Sequence, residues 1–175
     1  MIKEDTLALD TRRKIYNLIL KNPGLHEREI ARKLKMSLST LDYHIHYLEK
    51  REIIVSKKDG RYTRYFVSRK IGAQDKRAIS LLRQKTPRGI VLFLLLHPKA
   101  LHKEICDELK KSPSTISFHL KKLIDAGIVD ATSIGRGTAY EVKNAEKIVD
   151  ILITYKSTFL DDAVDKFIET WSSLK

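Results

Sequence analysis

Ser39, Thr40, Tyr43, His46, Tyr47 and Lys50 follow one another in the order Ser-Thr-x-x-Tyr-x-x-His-Tyr-x-x-Lys. On a helix, Ser39, Tyr43, His46 and Lys50 recur every three to four residues and share one face, with Thr40 and Tyr47 flanking it. Hydroxyls, phenols, an imidazole and an amine on one face can hydrogen-bond base edges or phosphates from the major groove of a duplex. Seventy-five residues later Ser114, Thr115, Phe118, Lys121 and Lys122 occupy the same places, and Asp125 stands where Lys50 stood. The alternative is that the serines and threonines only cap a helix while the aromatics cover its ends.

Catalytic and metal chemistry find less support. His44 and His46 are two apart on a helix and point to different faces, so they cannot share an ion. His44 and His119 border the apolar stripe at equivalent positions, where packing or a backbone hydrogen bond is expected of them. The single cysteine, Cys106, aligns with Ala31 at a small inward position and reads as a packed thiol. No Gly-rich phosphate loop, carboxylate pair or nucleophile elbow is present. The sequence predicts no enzyme, no cofactor and no metal.

The elements that must position these residues come as a repeat. Residues 11–67 lie over 86–142 without insertion, and about a third of the pairs are identical. Each copy opens with an apolar-periodic helix ending near Asn22-Pro23-Gly24 or His97-Pro98. A short second helix places Ile30, Ala31 and Leu34 on one face. Three residues then turn into a third helix, Ser39 to Lys50 in the first copy, with Ser37 as its N-cap and Leu41, Ile45 and Leu48 facing inward. Two β-rich runs follow, around Asp59-Gly60 and near Gly135-Arg136-Gly137, as hairpins. Three helices and a hairpin, with a short turn between the second and third helices, is the winged helix-turn-helix plan.

The stretches "EIARKLKMSLSTLDYHIHYLEKREII" and "EICDELKKSPSTISFHLKKLIDAGIV" resemble the DNA-binding core of ArsR- and MarR-like winged-helix regulators. The hairpins "DGRYTRYFV" and "GRGTAYEV" resemble that family's wing, and two copies in tandem look most like archaeal tandem regulators. The resemblance covers about two-thirds of the chain. It implies a mainly α fold with small β-hairpins, and a regulator that binds double-stranded DNA in a sequence-specific way. Winged helices also serve as protein-docking scaffolds, replication initiators and RNA-binding modules, and those functions stay open.

Charge divides the copies. The chain carries +12 overall at neutral pH, so a polyanionic partner is expected. Residues 11–67 hold fourteen basic and six acidic side chains, whereas residues 86–142 hold eight and six. The first wing carries Lys57, Lys58, Arg61 and Arg64, each able to lie along a phosphate backbone. The second retains Arg136 and adds Asp130, and Phe118 could contact a thymine methyl or a protein partner.

The segments divide as a first winged helix over 1–67, a basic linker over 68–85, a second winged helix over 86–143 and a tail over 144–175. Within the linker a short helix around Asp75–Lys85 would turn Ile79 and Leu82 inward. In the tail, apolar residues recur every three to four positions, predicting a long amphipathic helix bent near Ser157-Thr158. Its Tyr155, Phe159, Phe167 and Trp171 would join two chains as a homodimer, unless the tail folds back over the repeats. With one cysteine, no signal-peptide pattern and no long apolar run, a cytoplasmic, nucleoid-associated protein without membrane contact is expected.

Overall fold

The computed structural model describes residues 2–159 and 161–174, with side chains from Ala8 onward. It divides into two compact units, Met1–Lys76 and Arg77–Lys175.

The first unit opens with α1 (Ile2–Lys21), then β1 (Leu25–His26), α2 (Glu27–Leu34) and α3 (Leu38–Lys50). A hairpin of β2 (Ile54–Asp59) and β3 (Tyr62–Val67) follows, and α4 (Ala73–Leu82) crosses into the second unit. The sheet order is β1-β3-β2, all antiparallel, with Leu25 opposite Tyr65 and His26 opposite Arg64. The second unit repeats the plan with α5 (Lys85–Leu96), β4 (Ala100–Leu101), α6 (His102–Leu109), α7 (Pro113–Asp125), β5 (Val129–Ile134) and β6 (Gly137–Val142). Its sheet runs β4-β6-β5. The tail forms α8 (Ala145–Thr154), α9 (Lys156–Phe159) and α10 (Asp162–Ser173).

The two copies share backbone detail that follows from shared residues. Ser37 and Ser112 cap α3 and α7, accepting from the Thr40 and Thr115 amides at 3.1 and 3.3 Å. Lys35 and Lys110 end the preceding helices in the left-handed region, at φ 53° and 51°. Gly60 and Gly135 both sit at φ +59° in two-residue hairpin turns, a conformation that strains any residue with a Cβ. Glu29 and Glu104 accept the backbone N–H of His26 and Leu101, satisfying one donor at each helix start.

In the first core, Leu41, Ile45 and Leu48 of α3 pack with Ile15 and Ile19 of α1, Ile30 of α2 and Ile54 of β2. Truncating any of them to alanine costs about 2–5 kcal/mol, so this stripe fixes which face of α3 turns outward. Ile79 and Leu82 of α4 are fully buried, as their spacing indicates.

The tail is a helical segment in three pieces rather than one long rod. Its second break is set by Asp161, whose Oδ1 accepts the Ala163 amide at 3.0 Å and starts α10 afresh. Beyond the break α10 packs on α5, burying Val164 and Phe167. Arg88, almost fully buried, donates to Asp161 Oδ2 from Nε at 3.0 Å and Nη2 at 2.6 Å. Its Nη1 donates to the carbonyls of Leu82 and Arg83 at 2.9 and 3.1 Å. Arg83 in turn donates to the Thr158 carbonyl at 3.0 Å.

Candidate nucleic-acid interface

On α3 the outward face is the one expected. Ser39, Thr40, Tyr43, His46 and Lys50 are exposed, Tyr43 by 64%. The Ser37 hydroxyl lies 3.1 Å from the Ser39 hydroxyl and 2.8 Å from that of Thr40. A hydroxyl offers one donor and two acceptor sites, so Ser39 and Thr40 stay able to bond a ligand while they are hydrogen-bonded to the Ser37 cap. Tyr47 belongs elsewhere. It is half-buried against the core, with the Arg12 guanidinium 3.6 Å and that of Arg51 5.5 Å from its ring centre.

Beneath this face lies His44, buried, with its ring edge-on to Tyr43 at 5.1 Å. His119 repeats the arrangement beside Phe118, also at 5.1 Å. Neither Nδ1 has a hydrogen-bond partner among the described residues, so these imidazoles are held by packing. Burial lowers both pKa values, helped by the positive charge of Arg12 at His44 and of Lys122 at His119.

In the first wing the four expected cations separate. Lys58 and Arg61 are exposed; Lys57 is half-exposed and its Nζ donates to the Ala73 carbonyl at 3.4 Å. Arg64 corrects the expectation, because it is only 5% exposed. Its Nε donates to Asp59 at 2.6 Å and its Nη1 to the Gly24 carbonyl at 2.9 Å. β3 presents Arg64 to the inner side, where it ties the wing to the turn after α1.

The second copy differs in chemistry on the same backbone. Ser114, Lys121 and Arg136 are exposed, Thr115 and Lys122 half-buried. Phe118 is 57% exposed, and Lys122 Nζ lies 4.6 Å from its ring centre. Ile134 at the wing tip and Leu101 beside it are exposed as well.

Further candidate phosphate contacts, outside the motif, lie on α2 and at its C-cap. Arg28, Arg32, Lys33 and Lys35 are all exposed there. Their counterparts on α6 are Lys103, Asp107, Glu108 and Lys110, which cancel. The signal was present in the repeat alignment as a difference in charge along one helix.

The four tail aromatics do not form one open face. Phe159 and Phe167 are buried within the second unit, and Tyr155 and Trp171 are half-buried, with Trp171 5.6 Å from Phe167 between ring centres. Phe159 and Phe167 are therefore not on the surface where a second chain would meet them, because the breaks before α9 and α10 turn them into the chain's own core.

Comparison with known proteins agrees with this architecture. Residues 9–79 match a family model described as an N-terminal HTH domain, and residues 88–131 match that of the bacterial regulatory protein, arsR family. The chain thus consists of two helix-turn-helix domains in tandem, with ArsR-like winged-helix character, followed by a helical tail. A sequence from Methanocaldococcus jannaschii, named as an HTH-type transcriptional regulator, is 37% identical over 145 residues, or 82% of this chain. The chain spans 36% of that relative's length. Among solved structures, HlyU from Vibrio cholerae is 20% identical with a TM-score of 0.43, covering 48% of this chain and 87% of its own. An ArsR-like transcriptional regulator from Rhodococcus is 20% identical with a TM-score of 0.40, covering 58% and 92%. No helix among the described residues is long and apolar enough to cross a membrane.

Proposed function

We propose that the protein is a sequence-specific double-stranded DNA-binding regulator of transcription, with α3 in the major groove and the first wing on the adjacent backbone. The observation that carries this reading is the face of Ser39, Thr40, Tyr43, His46 and Lys50, held outward by a fully buried stripe and flanked by Lys58 and Arg61. Such a protein acts at the nucleoid, in the cytoplasm. Titration of the full chain into random and selected duplexes across a salt series tests it. Steep salt dependence on both, with tighter binding to the selected site, supports the reading. Binding that ignores salt and sequence refutes it.

The second copy favours a different contact. Exposed Phe118, Ile134 and Leu101 on a nearly neutral domain suit a protein partner better than phosphate. Self-association through the tail rests on what α8 and α10 leave outside, namely exposed Ile153 and Leu174 with half-buried Tyr155 and Trp171. Light-scattering mass of the full chain at micromolar concentration decides it, a dimeric mass supporting and a monomeric mass removing that contact.

A further inference from the structure

Between the start of α2 and the tip of the first wing lies a cavity of about 390 Å³ lined by His26, Glu27, Arg28, Arg61, Tyr62 and Thr63. The nearby acids outside its lining are already engaged. Glu29, close by, accepts the His26 amide at 3.0 Å and lies 3.6 Å from the His26 ring. Asp59 is taken by Arg64 at 2.6 Å. Arg28 and Arg61 are exposed, and no hydrogen bond or ion pair to either is found among the described residues. Two uncompensated guanidiniums therefore face one cavity, with Glu27 as the only carboxylate in its lining.

The walls are built rather than loose. The His26 and Tyr62 rings stack at 4.8 Å and 15°. Arg64 lies directly opposite His26 across β1 and β3, and its guanidinium carbon is 5.8 Å from the Tyr62 ring centre. The buried Arg64 thus holds the wing tip and the α2 start at a fixed separation. In the second copy the positions of His26, Tyr62 and Arg64 carry Leu101, Gly137 and Ala139, so neither the stack nor the brace exists there.

We propose that this cavity is a phosphate clamp, in which Arg28 and Arg61 grip one phosphate group from two sides. Planar guanidiniums bind phosphate oxygens through paired N–H donors, and two of them on separate elements fix its position. The phosphate can come from a DNA backbone, which rests on the DNA-binding reading above, or from a free phosphate. Lys58 lies outside the cavity, so it takes no part in the clamp.

A double-mutant cycle on the full chain tests the clamp. Arg28→Ala and Arg61→Ala should each weaken duplex binding by about tenfold. The double variant should lose about tenfold as well, since one guanidinium alone no longer holds the group. Both residues are exposed, so the fold should survive, and pairing Arg61→Ala with Lys58→Ala should give additive losses. In parallel, inorganic phosphate is titrated and its ³¹P line followed with the wild-type chain and the double variant. A sub-additive pair on DNA assigns the clamp to the backbone. A ³¹P line broadened by the wild type alone assigns it to free phosphate, even if duplex binding fails altogether and the regulator reading falls. Additive or absent losses on DNA together with an unperturbed ³¹P line overturn the clamp.

Discussion

Arg64 donates its Nη1 proton to the carbonyl of Gly24, forty residues earlier in the chain, at 2.9 Å. A wing cation expected on phosphate is instead a structural brace. Arg64→Ala should lower the stability of the first unit by about 3 kcal/mol, because it removes the buried ion pair to Asp59 and the guanidinium donor to the buried Gly24 carbonyl. Chemical denaturation of the full chain measures it. A change within about 0.5 kcal/mol would return Arg64 to the surface.

Removing the remaining wing charges should act on binding instead. Lys57, Lys58 and Arg61 replaced together by alanine should flatten the slope of log affinity against log salt by about two to three units. An unchanged slope would take the first wing off the backbone.

Tyr43 should carry part of the sequence preference, since it stands free at the middle of the α3 face. Tyr43→Ala is expected to cost about 1–3 kcal/mol at the preferred site and much less on random duplex. Equal losses on both would make it a non-specific contact.

Acid should weaken the folded state through His44 and His119. Their folded pKa values lie below the ordinary 6.5, so below that pH the unfolded chain takes up protons that the folded chain refuses. Stability is therefore full above about pH 6.5 and declines as pH falls toward the folded values. Replacing both histidines by leucine should flatten the melting temperature between about pH 5 and 7. A wild-type melting temperature level over that range would contradict the burial of neutral rings.

Asp161→Asn should loosen α10 from α5. Fully buried pairs lose about 3–5 kcal/mol when one partner goes; Asp161 keeps some solvent contact, so about 2 kcal/mol is expected. Burial alone pushes the Asp161 carboxyl up, but the Ala163 amide, Arg88 and Lys85 together bring it below its ordinary 3.8. Its contribution is present above about pH 3.8 and lost as pH falls through the lower folded value. Fluorescence of Trp171, the chain's single tryptophan, beside Phe167 reports the loosening directly.

The helices, their caps and the hairpin turns were legible because each rests on neighbours in sequence: Ser37 before Thr40, Gly60 between β-rich runs, Leu41 with Ile45 and Leu48. The inward turn of Arg64 was not, since it depends on the pairing of β1 with β3 and on a carbonyl far away in sequence. Nor was the burial of Arg88, whose counterpart Arg13 in the first copy is exposed. The tail's apolar spacing showed a helical segment, but its spacing cannot tell one rod from several pieces. Asp161 followed by Asp162 is the local cue for a fresh helix start, and without Gly or Pro nearby it is easily passed over.

The shared backbone angles of the two copies make the chain its own control. Lys35 with Lys110 and Gly60 with Gly135 adopt nearly the same conformation, while the side chains carried between them have diverged. A residue moved from one copy to its place 75 positions away therefore meets familiar geometry in new company. Exchanging Tyr43 with Phe118, or His46 with Lys121, would move the proposed recognition chemistry without redesigning a scaffold, and the molecule lends itself to rewiring by internal transposition.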